Sequence, residues 1–128
     1  MMDSTSIART LNGKRVMIVE DEFLVAMELE SELTDHGCVV IGPAGRSAPA
    51  MALLEDETPD AVLLDLNLDG ETPTALAEAL TRRCVPFIVV SGYGSRQAEP
   101  EILRNAPRLA KPVRRPELLE ALTRALPA

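Results

Sequence analysis

Acidic side chains stand at two places where an apolar run of the sequence ends. Glu20 and Asp21 follow the run at residues 16–19, and Asp65 follows the run at residues 61–64. Carboxylates that converge at one place repel one another, so a fold that brings them together requires a compensating cation. Mg²⁺ is a hard ion that binds oxygen ligands from carboxylates, carbonyls and water. The three acids therefore predict a magnesium site, provided that the fold places the two runs side by side.

Two further polar residues also end apolar runs. Ser91 follows the run at residues 86–90, and Lys111 follows the short run at residues 108–110. A serine hydroxyl and a lysine ammonium can both donate hydrogen bonds to an anion. A solvated loop position would explain any one of these residues. The whole set at the ends of successive runs indicates a functional site.

The apolar runs alternate with segments of helical periodicity. We predict strands at residues 16–19, 38–41, 61–64, 86–90 and 108–110, and helices at residues 23–36, 47–55, 74–83, 95–105 and 116–126. This alternation predicts one α/β domain with a doubly wound, five-stranded parallel sheet. Ligands of such sheets bind beyond the carboxyl ends of the strands, where all of these polar residues fall.

Glycine, proline and threonine predict where several elements begin or end. Gly37 is placed to end the first helix. Gly42 and Pro43 are expected to break the second strand. Thr72 is expected to be the N-cap of the third helix, with Pro73 at its first position.

Composition narrows the functional classes. The chain has 128 residues and a net charge of −7, which disfavours binding to nucleic acid. Cys38 and Cys84 lie far apart and there is one histidine, so no zinc motif is present. No apolar run is long enough to span a membrane, so we expect a cytoplasmic protein. Residues 1–13 are expected to be a disordered lead.

These residues resemble the site of a known family. Glu20, Asp21, Asp65, Ser91 and the pair Lys111-Pro112 resemble the set found in the response-regulator receiver domain of two-component systems. The resemblance extends over residues 14–126. It implies a flavodoxin-like fold in which a βα unit is repeated five times, without an output domain.

The resemblance also implies a role for each residue. Asp65 would accept a phosphoryl group, and Lys111 and Ser91 would bind the phosphoryl oxygens. The Lys111–Pro112 bond would be cis. The chain would be a phosphoacceptor with slow self-dephosphorylation rather than an enzyme. The groups implied to hold Mg²⁺ are Glu20, through metal-bound water, Asp21, Asp65 and the backbone carbonyl of Asn67.

A subgroup resemblance suggests partners. Residues 86–94, 42–44 and 65–71 are similar to receivers that carry a Phe-Ala-Thr-Gly-Tyr motif, although Val-Val-Ser replaces Phe-Ala-Thr here. Such receivers are common in alphaproteobacteria, often beside histidine kinases of the HWE type. The implied partners are a histidine kinase, including the HWE type, or a histidine phosphotransfer protein, and a downstream protein whose identity the sequence leaves open. We expect a monomer or a weak dimer.

Two departures from the wider family affect the expected switch. Most receivers have an aromatic residue three positions before the active lysine, and here that residue is Arg108. The loop after Asp65 is contracted, with Gly70 arriving early. We therefore expect Tyr93, the single tyrosine of the chain, to act with Ser91 as the switch.

Three alternative functions stay open at this point. The chain could be a receiver-fold docking module that is not phosphorylated, or a receiver cut from a hybrid histidine kinase. A phosphatase of the haloacid-dehalogenase type would also use a strand-end aspartate and Mg²⁺. Such an enzyme needs a second acid two residues after the nucleophile, and Asn67 occupies that position.

Overall fold

The structure is a computed structural model that describes residues 4–92 and 98–126. Strands and helices alternate along the described chain. The strands are β1 (Arg15–Val19), β2 (Val39–Ala44), β3 (Ala61–Asp65), β4 (Phe87–Ser91) and β5 (Arg108–Ala110). The helices are α1 (Ser4–Leu11), α2 (Phe23–Asp35), α3 (Ser47–Asp56), α4 (Thr74–Arg82), α5 (Glu101–Arg104) and α6 (Arg115–Ala125). No helix in the described part of the chain is long and apolar enough to cross a membrane.

The five strands form one parallel sheet in the order β2-β1-β3-β4-β5. Residues 16–19 of β1 and residues 61–64 of β3 are all apolar and buried, as central strands require. Strand order reverses between β1 and β3, which is where a ligand crevice forms in open sheets. The prediction of a doubly wound, five-stranded parallel sheet is confirmed.

Side chains of the strands alternate between two apolar layers. One layer joins Val16 and Ile18 of β1 to buried residues of α1, α2 and α6. The other joins Met17 and Val19 to buried residues of α3, α4 and α5. Because helices cover both faces of the sheet, a ligand can reach its polar side chains only at the carboxyl edge.

Residues before β1 differ from the expectation. Disorder was predicted for residues 1–13, and this is wrong for residues 4–11, which form α1. Ile7 and Leu11 lie four positions apart on one side of this helix, and both pack into the layer shared with α6. Two apolar residues in a polar segment are a weak signal, but their burial holds the helix against the domain.

Gly37 ends α2 as predicted. Its φ is +83°, and its amide donates to the Thr34 carbonyl at 3.0 Å, while the Cys38 amide donates to the Leu33 carbonyl at 3.0 Å. These two bonds close the helix in the arrangement that favours glycine at this position.

Three boundary predictions are wrong. The helix predicted at residues 95–105 is shorter in the described chain, where α5 begins at Glu101 and ends at Arg104. The pair Gly42-Pro43 was expected to break β2, but the strand continues to Ala44, with an irregularity in its pairing to β1. A proline is tolerated because β2 is an edge strand. Thr72 was expected to cap α4, but Pro73 occupies the N-cap position and no side chain caps the helix.

A tight hairpin follows β3. The Leu68 amide donates to the Glu71 carbonyl at 3.0 Å, and the Glu71 amide donates to the Leu68 carbonyl at 3.1 Å. Between them, Asp69 and Gly70 have φ values of +55° and +87°, as two-residue hairpin turns require. The loop after Asp65, which was predicted to be contracted, is thus a closed two-residue turn.

Candidate functional site

Two buried carboxylates lie at the carboxyl edge of the sheet. Asp65 ends β3 and is 3% exposed, and Glu20 directly follows β1 and is 4% exposed. Asp65 Oδ1 accepts a hydrogen bond from the Asn67 amide at 3.2 Å. Glu20 Oε2 accepts one from the Glu22 amide at 3.0 Å. The adjacent β1 and β3 therefore bring Glu20 and Asp65 together, as the sequence predicted.

The exposed acids Asp21 and Glu22 complete a cluster with this pair. Carboxylate oxygens of the four residues all lie within 4.8 Å of one another. Glu20 Oε1 and Asp65 Oδ2 are buried and accept no well-aligned hydrogen bond from the described residues, although the Lys111 ammonium lies 3.2 Å and 3.4 Å from them. Four carboxylates carry more negative charge than one ammonium offsets, so the cluster favours an added cation or an added proton.

The pKa of Asp65 reflects this crowding. It is raised from an ordinary value of 3.8 to about 7, and burial is the largest cause. A side-chain hydrogen bond with Glu20 and the negative charge of Glu20 contribute to the rise, while the Asn67 amide and the Lys111 ammonium oppose it. The carboxyl group of Asp65 thus titrates near neutral pH when no metal is bound.

Lys111 is the cation that faces the cluster. Its Nζ lies 2.9 Å from Glu22 Oε1, 3.2 Å from Glu20 Oε1 and 3.4 Å from Asp65 Oδ2. Burial alone would lower the pKa of Lys111, but the hydrogen bond to Glu22 and the charges of Asp65 and Glu20 outweigh it and raise the pKa. The Lys111–Pro112 bond is cis, as the resemblance implied.

The donor set of the cluster fits Mg²⁺. All of its ligand atoms are carboxylate oxygens, and among the described residues one ammonium pairs with three of the four carboxylates. Hard oxygen donors and excess negative charge are what Mg²⁺ requires. The Asn67 amide faces Asp65, and its side-chain oxygen accepts a hydrogen bond from the Gly70 amide at 2.8 Å. The role of its backbone carbonyl as a metal ligand stays a prediction.

A cavity of about 220 Å³ lies on the other side of Asp65. Ser91 ends β4 and lines this cavity together with Asp65, Asn67, Glu99 and Arg108. Ser91 Oγ accepts a hydrogen bond from Arg108 Nη1 at 3.0 Å. Arg108 also forms an ion pair with Glu99. Ser91 is therefore at the site as predicted, whereas Tyr93 lies outside the described residues.

Three residues of the site were missed from the sequence. Glu22 was passed over because Glu20 and Asp21 already stood directly after the strand, yet it contacts Lys111. Arg108 was noted only as a missing aromatic residue, and Glu99 was not singled out. Arg108 lies near Ser91 because of the register of β4 and β5, which the sequence does not fix, and the position of Glu99 follows from a loop that carries no periodic signal.

Comparison with known proteins identifies the family. Residues 16–123 match the family model of the response regulator receiver domain. The chain belongs to this family. Receiver domains are generally signalling modules rather than enzymes. The family assignment and the fold predicted from the sequence are both confirmed.

Several known receivers are similar over most of the chain. The solution structure of SdrG from Sphingomonas melonis is 38% identical, with a TM-score of 0.77 over 88% of this chain and 96% of that one. The transcriptional regulatory protein PdtaR of Mycobacterium tuberculosis is 32% identical over 75% of this chain and 47% of its own length. The phyllosphere-induced regulator PhyR of Methylorubrum extorquens is 32% identical over 87% of this chain and 43% of its own length. The chain thus spans about half the length of these two curated relatives.

Proposed function

We propose that this receiver accepts a phosphoryl group on Asp65 from a phosphohistidine donor and signals by protein contacts or by onward phosphotransfer. The observation that carries the proposal is the placement of Asp65. Its buried carboxylate lies 3.4 Å from the Lys111 ammonium and lines the cavity that holds Ser91. A nucleophile between a cation and a hydroxyl donor suits a transfer in which charge spreads over three phosphoryl oxygens.

The residues divide the chemistry between them. An oxygen of ionised Asp65 forms a bond to phosphorus while the phosphorus–nitrogen bond of the donor breaks, and the released imidazole takes up a proton. Lys111 stabilises the negative charge on the transferred group, and the Ser91 hydroxyl donates to one of its oxygens. The product is an acyl phosphate, whose slow hydrolysis would end the signal.

Mg²⁺ is part of the proposal. Glu20, Asp21 and Asp65, with the Asn67 carbonyl, would hold it, Glu20 acting through metal-bound water. When bound, the ion would neutralise charge on the phosphoryl oxygens and hold Asp65 ionised. The support is the excess of negative charge in the described cluster, in which four carboxylates lie close together and one ammonium pairs with three of them.

An exposed apolar patch supports a protein donor. Phe23, Leu24 and Met27 at the start of α2 are 73%, 71% and 49% exposed, and they follow the acidic cluster directly. Exposed apolar side chains grouped beside a site favour protein docking. The proposed donors are a histidine kinase, including the HWE type, or a histidine phosphotransfer protein, acting in the cytoplasm. Phosphotransfer from the purified kinases of the host would identify the donor.

The acceptor assignment is tested with acetyl phosphate and Mg²⁺. Intact mass spectrometry should show one added phosphoryl group on the wild type and none on Asp65→Asn, which keeps the shape and removes the nucleophile. Asp69→Asn is the matched control, because Asp69 is an exposed acid four residues along the same loop. A phosphoryl group that persists in Asp65→Asn would contradict the assignment.

A further inference from the structure

Arg108 and Ser91 lie on neighbouring strands with their side chains on the same side of the sheet. In the register of β4 and β5, Arg108 pairs with Val89, and Ser91 lies two residues beyond Val89. Side chains two residues apart on a strand share a face, and a long side chain reaches the diagonal position on the next strand. This register brings Arg108 Nη1 within 3.0 Å of Ser91 Oγ.

Glu99 fixes the guanidinium group of Arg108. Arg108 Nη1 donates to Glu99 Oε2 at 3.2 Å, and Nη2 donates to Glu99 Oε1. The two side chains are only 13% and 15% exposed. A bidentate pair of this kind sets the plane of the guanidinium group as well as its position. Nη1 therefore meets the Ser91 hydroxyl from a fixed direction.

The chemistry of the guanidinium group determines what Ser91 can do. Arginine has donors and no acceptor, so Ser91 Oγ must accept in this hydrogen bond. A hydroxyl has one proton, and that proton stays free to be donated to another group. The cavity lined by Ser91 also holds Asp65, so a phosphoryl group on Asp65 would present acceptor oxygens there. Without Arg108, the same hydroxyl could turn and donate to the Glu99 carboxylate.

We infer that Arg108, held by Glu99, is a positioning residue that orients the Ser91 hydroxyl towards the phosphoryl group. This inference rests on the proposed function, because it assumes that Asp65 is the acceptor. Arg108 acts through Ser91 and does not contact the transferred group itself. The loss of Arg108 therefore affects phosphorylation only while Ser91 has a hydroxyl to orient.

A double-mutant cycle tests this dependence. The rate constant for phosphorylation by acetyl phosphate at saturating Mg²⁺ should fall about tenfold in Arg108→Met and by a similar factor in Ser91→Ala. Methionine keeps the apolar stem of the side chain and removes the charge and the donors. The double variant should be no slower than Ser91→Ala, because residues that act through one another are not additive.

Matched variants exclude an effect on folding. Arg104→Met removes an exposed arginine from α5 and should leave the rate unchanged. Arg108→Lys keeps a side chain that can donate hydrogen bonds and cannot accept them. Its phosphorylation rate should therefore be higher than that of Arg108→Met. Thermal melting of every variant would show that the compared proteins are folded at the assay temperature.

The outcomes separate the inference from the proposed function. An unchanged rate in Arg108→Met overturns the inference, as does an equal loss in the wild-type and Ser91→Ala backgrounds, since Arg108 would then act independently of Ser91. A wild-type chain that takes no phosphoryl group overturns both. Phosphorylation on Asp65 combined with additive losses overturns the inference alone.

Discussion

Two groups of charged side chains flank Asp65, and they differ in balance. On the side of β1, the carboxylates of Glu20, Asp21 and Glu22 join that of Asp65 and face the single ammonium of Lys111. On the side of β4 and β5, one carboxylate, Glu99, pairs with one guanidinium group, Arg108. Among the described residues, the first group has more carboxylates than cations, whereas the charges of the second group balance.

This difference in charge balance suggests that the acidic cluster binds a cation and that the Glu99–Arg108 pair orients a neighbouring side chain. An excess of carboxylates costs free energy in the folded state unless protons or metal ions offset it. A balanced, bidentate pair keeps its geometry without such help and can hold a neighbouring hydroxyl in place. We therefore expect pH and Mg²⁺ to act on the β1 side of Asp65 and to leave the β4 side unaffected.

Removal of Lys111 should have the largest effect on stability. Lys111→Met leaves the carboxylates of Glu20, Glu22 and Asp65 without their ammonium, so at pH 8 the metal-free protein should lose on the order of 5 kcal/mol of unfolding free energy. Added Mg²⁺ should recover part of this loss. Denaturant unfolding with and without Mg²⁺ measures both effects.

Arg124→Met is the control for Lys111→Met. It breaks the ion pair with Glu120, in which the Arg124 side chain is 78% exposed and the Glu120 side chain is 58% exposed. Such a pair contributes less than about 0.5 kcal/mol. Equal losses in the two variants would show that the acidic cluster is not crowded.

The pH dependence of stability should show the raised pKa of Asp65. Because the folded state holds this proton up to a pH of about 7 and the ordinary value is 3.8, the contribution of Asp65 is complete below pH 3.8 and is lost as the pH rises through about 7. The contribution of Asp65 to the unfolding free energy of the metal-free protein should fall by on the order of 4 kcal/mol over this range. Asp65→Asn should remove that loss, which thermal melting across the pH range would measure. If the stability of the wild type and that of Asp65→Asn changed with pH in parallel, the pKa of Asp65 would not be raised.

Mg²⁺ should stabilise the folded protein by a smaller amount. At ten times its Kd the ion should add about 1.4 kcal/mol, or about 4 °C in Tm. Asp21→Asn removes one charge from the crowded group, so it should stabilise the metal-free protein and weaken the response to Mg²⁺. Glu99→Gln changes the balanced group and should leave the response as in the wild type. If Asp21→Asn binds Mg²⁺ as tightly as the wild type, Asp21 is not a ligand.

The sequence was sufficient for the parts of the molecule that repeat. Alternating apolar runs and helical periods predicted five strands and their parallel arrangement, because burial on both faces imposes a recognisable pattern. The rule that ligands bind at strand ends then led to Asp65 and Lys111 without knowledge of any distance. The structure places both residues at one edge, 3.4 Å apart.

Local chemistry was harder to predict. Disorder was expected before β1 because this segment has few large apolar residues. Its Ile7 and Leu11 pack against the domain, and this burial stabilises α1. The expected break at Gly42 is bridged by pairing to β1, which a single strand cannot reveal. The contact between Arg108 and Ser91 depends on strand register, and the sequence alone does not fix register. Contacts made by long side chains across elements were therefore the part that required coordinates.

The hairpin after β3 is held from two sides. Its two main-chain bonds close the turn, and a second loop contacts it through an Arg46–Asp69 ion pair at 2.8 Å and a Ser47 amide bond to Glu71 at 3.0 Å. The Ser47 bond also lowers the pKa of Glu71, which keeps this carboxylate ionised. If Asp65 is the acceptor, as we propose, this closed turn would leave a bulky donor less room on its side of Asp65 than an open loop would.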